Sequence, residues 1–157
     1  MKRFTPVALL ALLIVPAVAF AAADRFKGGS DDDKKVKIKF ELKNEDQIKD
    51  FTAKEIEFSC NERDDFRANP PEFTKVDVEK NGDIDQEYKI NEKGRNSEGD
   101  KVEIRFKGKL EGRLDGKKKS YDEGDGEMSF DARYKTDGDR CESEELEWDA
   151  ELKDTKD

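Results

Sequence analysis

The stretch KVEIRFKGKLEGRL, residues 101–114, decides how this chain is read. Val102, Ile104, Phe106, Leu110 and Leu114 share one parity, Gly108 and Gly112 keep it, and every odd position between them is charged. A period of two turns one set of side chains to a buried sheet face and the other to water. The same phase runs through Val36, Ile38, Phe40 and Leu42, through Met128, Phe130, Ala132 and Tyr134, and through Leu146, Trp148, Ala150 and Leu152. No window carries an i, i+3, i+4, i+7 stripe, although residues 44–50 have room for one helical turn. One-sided burial is the signature of antiparallel pairing, so the fold expected is all-β and antiparallel.

Seven strands are expected, at about 36–42, 48–60, 73–80, 83–90, 101–114, 124–135 and 145–152. Their even spacing predicts an antiparallel β-sandwich, with a closed β-barrel as the alternative. Within 48–60 the phase shifts between Ala53 and Ile56, the mark of a β-bulge. Asn81–Gly82 invites a two-residue hairpin, but that register sets Val78 against Asp85 and Val76 against Glu87. A three-residue loop, Lys80–Asn81–Gly82, instead opposes Val78 to Ile84 and Thr74 to Tyr88, with Gly82 at the position that needs a left-handed residue.

The first 23 residues read as a signal peptide. Lys2 and Arg3 precede an apolar run from Val7 to Val15, and Ala21–Ala22–Ala23 offers a small-x-small cleavage site before Asp24. The run is short for a span of ~20 residues, and no Cys follows it to carry a lipid. The mature chain is therefore expected outside the cell and free of the membrane. Its residues 24–35, DRFKGGSDDDKK, read as a flexible charged arm; 36–152 form one β domain and 153–157 a polar tail. Removing residues 1–23 takes Lys2 and Arg3 and leaves 29 basic residues against 40 acidic, a net charge of −11. Leu, Ile, Val and Phe then make up about 17% of the chain, a level at which composition alone reads as disorder. A disordered polyelectrolyte has no reason to keep the period-two phase, so pattern overrules composition.

The residue inventory removes whole classes of chemistry. With no His there is no Ser–His or Cys–His pair and no imidazole ligand, and two Cys cannot make a Cys₄ zinc site. The negative charge argues against nucleic acid, which requires a basic surface. In an exported chain, Cys60 and Cys141 are expected to form one structural disulfide, with a pair of buried free thiols as the runner-up. Closing so long a loop stabilises by roughly 3–5 kcal/mol.

The acidic stretches read mostly as structure. Asp77–Asp85 places oxygens at positions 1, 3, 5 and 9 of a calcium loop and Gly at 6, but Tyr88 stands where the bidentate Glu belongs, and no helices flank it. Asp122–Glu127 and Asp137–Gly138–Asp139 read as turns ahead of metal sites, and Asp31–Asp33 as a solvated leader. A glycosidase-like carboxylate pair needs a cleft and a raised pKa, and nothing marks one here. Trp148 reads as core, which leaves Tyr121 as the best exposed aromatic for a carbohydrate platform.

The order of these features resembles a family of small exported bacterial domains. The resemblance rests on Phe58–Ser59–Cys60, the Asn81–Gly82 hairpin, Ile104-x-Phe106-x-Gly108-x-Leu110, the Gly124/Gly126 strand and Cys141-x-Ser143-x-x-x-x-Trp148-x-Ala150, over roughly residues 36–152. That family is uncharacterised. The resemblance implies an all-β fold with paired cysteines and imports no activity, cofactor or site residue.

The expectation is therefore a secreted, monomeric, non-enzymatic binding or cell-envelope interaction module without a cofactor, whose extracellular ligand the residues do not name. The alternative is a small carboxylate-based hydrolase or a calcium-dependent carbohydrate-binding protein, for which three or four carboxylate oxygens around one point would speak. One expectation concerns strand order. Glu145, Glu147, Asp149 and Glu151 face outward on the last strand and Lys35, Lys37 and Lys39 on the first, so the two would benefit from pairing. The competing reading has Lys37 and Lys39 guarding a free edge.

Overall fold

Alternation becomes strand almost everywhere. The computed structural model describes residues 23–43, 46–95, 101–117 and 120–154, and these contain strands and turns with no helix. The strands are β1 (Asp24–Gly29), β2 (Lys37–Lys43), β3 (Gln47–Lys54), β4 (Ile56–Cys60), β5 (Phe66–Ala68), β6 (Phe73–Asp77), β7 (Asp83–Arg95), β8 (Lys101–Lys117), β9 (Ser120–Tyr134), β10 (Arg140–Glu142) and β11 (Leu146–Asp154). The expected signal peptide, apart from Ala23, lies outside the described residues, as do positions 155–157 of the tail.

Eleven strands stand where seven were expected, and each difference has a local cause. The stretch 48–60 divides into β3 and β4 because Glu55 takes φ 62°, a left-handed turn of the backbone. A second shift lies upstream at Asp50, φ 52°, where burial passes from Ile48 to Phe51. Of residues 44–50, the candidate helical turn, 47–50 belong to β3, and 44–45 lie outside the described residues. Short β5 and β10 carry too few residues to show a period. Half of the proposed flexible arm is strand β1. Its one large apolar side chain, Phe26, is 1% exposed and stacks on Phe40 at 4.7 Å. Gly28 admits β11 so closely that a Cβ there would stand 1.7 Å from the Asp149 carbonyl oxygen, so only glycine fits.

All pairings are antiparallel, and the sheet does not close. Its order is β5-β4-β10-β9-β11-β1-β2-β3-β6, with β8 and β7 continuing from the other edge of β9. Strand β9 is long enough to pair with β11 through Glu123–Met128 and with β10 through Asp131–Arg133. The sheet therefore forks at β9. One branch passes through β11, β1 and β2 to β3; the other passes through β10 to β4, the continuation of β3.

The missed strand also overturns the expected order. β1 lies between β11 and β2, so the first and last expected strands share no ladder. The free-edge reading of Lys37 and Lys39 fails with it, because β2 is paired by β1 on one side and β3 on the other. The loop reading holds: Glu79 N–H donates to Asp83 O at 2.9 Å, Val78 bridges Ile84, and Gly82 takes φ 91°. The pairing of Thr74 with Tyr88 does not follow, because β6 turns away to pair with β3.

Between β6 and β7 side chains take over from backbone. Aromatic rings run across the sheet from Phe26 to Phe40, Phe51, Phe73 and Tyr88, with Phe51 5.9 Å from Phe73 and Phe73 4.5 Å from Tyr88. Trp148, 2% exposed, meets Phe40 and Phe51 edge-on. Phe40, Ile56, Phe58, Phe106, Phe130 and Trp148 are buried as expected, while Ile104 is only half-buried.

Candidate functional site

Two places gather chemistry-bearing side chains. The first is the disulfide corner. Cys141 pairs directly with Cys60 across β10 and β4, and their sulfurs are bonded with Cα atoms 4.0 Å apart. Cys141 thus stands in its own strand rather than just ahead of the last one. Next to the disulfide, the Asp139 side chain is 1% exposed. One of its oxygens accepts the N–H groups of Arg140 at 2.8 Å and Glu62 at 3.2 Å, and the other lies 3.2 Å from Arg63 Nε. Arg63 also pairs with Asp137 and covers the Tyr134 ring at 4.1 Å. The Asp139 N–H, followed by Arg63, holds the Asp137 carboxyl below its ordinary range. Cys60, Asp139 and Cys141 are the only three candidate metal ligands that come together among the described residues, and two of them are spent on the disulfide.

The second is the outer face of β8, β9 and β11. Register places Glu127 opposite Glu147, Asp125 opposite Asp149 and Glu123 opposite Glu151. On the other side of β9, Glu111 faces Glu127 and Asp115 faces Glu123, while Arg113 stands opposite Asp125 but reaches Asp115 and Asp83 instead. Lys109 reaches Glu111 at 2.8 Å, Lys153 reaches Glu151 at 2.6 Å and Arg113 reaches Asp115 at 3.4 Å. Among the described residues, Asp125, Glu127, Glu147 and Asp149 have no ion-pair partner. With Asp31 they line a shallow cavity of about 310 Å³ floored by Gly126 and Trp148.

The glycines under this face explain its flatness. A Cβ on Gly126 would meet Glu111 O at 2.1 Å, and one on Gly112 would meet Trp148 Cζ2 at 2.7 Å. The indole therefore lies against bare backbone, where its Nε1–H donates to Glu111 O at 3.2 Å. Asp122–Glu127 is accordingly strand within β9, not the turn expected. The in-phase glycines 112, 124 and 126 were the signal for that.

The remaining candidates resolve one by one. Asp137–Gly138–Asp139 is a turn, with Gly138 at φ 82°. Asp31 and Asp32 are solvated as expected, but the run is fastened rather than loose: Asp32 accepts the Glu147 N–H at 2.9 Å, and half-buried Asp33 pairs with Arg67 at 2.7 Å. The Lys35 N–H and then Arg67 draw the Asp33 carboxyl below its ordinary pKa. In the calcium-like loop, Asn81 bonds Asp83 within the hairpin, and Tyr88 packs half-buried on Phe73. Burial pushes the Tyr88 phenol upward, and its hydroxyl has no hydrogen-bond partner. Tyr121 is half-buried against the core and Gly82, so it offers no open platform. Comparison of the chain with protein families, with curated proteins and with solved structures returns no match.

Proposed function

We propose that this chain is an exported, non-enzymatic interaction module, a sheet folded on itself in the manner of a sandwich, whose β9–β11 outer face receives a polycationic partner. The observation that supports this reading is the pair of like-charge rows Glu127–Glu147 and Asp125–Asp149. Like charges directly opposite on paired strands destabilise a sheet. A cationic surface laid over them removes that repulsion and fills the hollow edged by Asp31. The net charge of −11 left by signal cleavage draws such a partner in from a distance.

The test is titration of the folded, oxidised chain with decalysine by calorimetry. Binding is expected at low ionic strength, weakening as salt rises. Asp125→Asn/Glu127→Gln/Asp149→Asn is expected to abolish it, while a triple neutralisation of Glu62, Asp64 and Glu72 elsewhere leaves it intact. Equal loss in both variants would reduce the effect to net charge and overturn the assignment of the face.

A further inference from the structure

We infer that β7 is a self-pairing edge, through which two copies of this chain join antiparallel about a two-fold axis at Ile90. The surface differs from the acidic face, and the inference goes beyond the reading above.

β7 is thirteen residues long and pairs only with β8, apart from the single bridge of Ile84 to Val78. Backbone direction shows which groups this leaves open. The Asp83 carbonyl accepts from Glu79 on the β6 side, and the Gly82 carbonyl accepts from Leu114 on the β8 side. Alternation along the strand then aims the N–H and C=O of Asp85, Glu87, Lys89, Asn91 and Lys93 away from β8. The Val78–Ile84 bridge directs the Asp85 N–H to the Asp77 carbonyl, and no strand among the described residues takes the others. These open residues run from Glu87 to Lys93, and their midpoint is Ile90, a half-buried apolar side chain.

A long open edge is ordinarily a hazard, and charge is the usual protection. Here the exposed charges at the odd positions run from acidic (Asp85, Glu87) to basic (Lys89, Lys93) along the strand, with Glu92 on its opposite face. That gradient makes the edge selective. Centred on Ile90, two antiparallel copies set Glu87 against Lys93 and Lys89 against Asn91, each twice. Centred one residue back, Lys89 meets Lys89; one residue on, Lys89 meets Lys93. Centred on Tyr88, the pairing needs the Asp85 N–H and the Asp83 carbonyl, both already used on the β6 side, and only Glu87–Lys89 is left. The pattern thus favours one register with a second copy of this chain, against the monomer expected from sequence.

The same register makes Ile90 face its own symmetry mate as a non-hydrogen-bonded pair, with Cα atoms ~4.5 Å apart, inside the range a disulfide spans. Ile90→Cys is therefore expected to yield a disulfide-linked dimer under mild oxidation, with Cys60–Cys141 intact by peptide mapping. Glu87→Cys, facing Lys93, should stay largely monomeric. Sedimentation of the wild-type chain should show a reversible dimer. Glu87→Lys should raise its dissociation constant by about tenfold, the scale of two reversed charge pairs, and adding Lys93→Glu should restore it. Equal cross-linking at positions 87 and 90, or a wild-type chain monomeric at ~100 µM, overturns the inference; dimers that ignore both charge changes do so too.

Discussion

The two branches that leave β9 are held in opposite ways. On the β8–β9–β11 side, pairing is long: β9 matches β8 from Ile104 to Lys117 and β11 over six residues. On the β4–β5–β10 side, β10 meets β4 through two residue pairs, and β5 meets β4 through three. The long wall tolerates unbalanced charge on its surface, because ladder and core already hold it. The short flap adds a disulfide at its narrowest joint and two arginine clusters at its rim. Arg67 alone ties Asp33, the Glu55 carbonyl and Glu57 together. Where backbone pairing is scarce, covalent and ionic links concentrate.

The sharpest way to break this contrast is to remove the disulfide. Cys60→Ala/Cys141→Ala reopens a loop of sequence separation 81, which the chain-entropy relation puts at roughly 4–5 kcal/mol. That is close to the entire stability of many small domains. Chemical denaturation should show the loss. Hydrogen exchange should show it first in β4, β5 and β10, while the β8–β9 amides keep their protection. Uniform loss of protection would mean that the flap and the wall are one cooperative unit.

A smaller effect is expected from within the wall. Gly126→Ala puts a methyl against the Glu111 carbonyl and the Gly112 Cα, both backbone, so two strands must shift. Overpacking of this kind costs about 1–3 kcal/mol. Trp148 rests on the same glycine floor, so its fluorescence should change with the unfolding midpoint. If the substitution is silent in both readouts, the close approach of β8 and β9 is not a constraint.

The same contrast separates what the residues reveal from what they conceal. Alternation announced the long strands, and two cysteines in a chain expected to be exported announced the bond between Cys60 and Cys141. The flap strands were hidden because Phe66–Ala68 and Arg140–Glu142 are each shorter than two periods. β1 was hidden because its sequence holds one large apolar residue and two glycines, the composition of a linker, and its role depends on the Asp149 carbonyl contributed from far along the chain. The candidate face was harder still. Glu123, Asp125 and Glu127 were visible as acids, but their positions opposite Glu151, Asp149 and Glu147 follow from a register that only folding sets. Asp139 looked like one more turn acid, and its burial comes from Arg63 and two N–H groups distant in sequence.

Acid should loosen the ionic links at the flap. Asp33 and Asp137, both at the flap, are drawn below their ordinary pKa by backbone N–H groups and arginines. A carboxyl depressed in the folded state contributes stability above its unfolded pKa and loses it as pH falls through the folded value. Stability should therefore drop as pH passes below about 4, the ordinary Asp value. Asp33→Asn/Asp137→Asn should be less stable than the wild type near neutrality and flatter in acid. Parallel pH profiles for the two proteins would show that these pairs do not hold the flap.

The smallest effect expected is that of salt on the wall. Glu127–Glu147 and Asp125–Asp149 stand directly opposite, at the ~5 Å Cβ spacing of paired strands. The Debye length falls from ~30 Å at 0.01 M to ~3 Å at 1 M, so raising salt weakens this repulsion. Salt also weakens favourable pairs, among them Lys109–Glu111 and Lys153–Glu151, which are exposed and individually worth little. Comparing the wild type with Asp125→Asn/Glu127→Gln removes that background, since both proteins keep those pairs. The wild type should gain more stability from salt than the variant does, by up to ~1 kcal/mol. At low salt the variant should be the more stable of the two. A variant that is less stable at every ionic strength would mean that the opposed carboxylates are not in conflict, and the argument for a cationic partner would lose its physical basis.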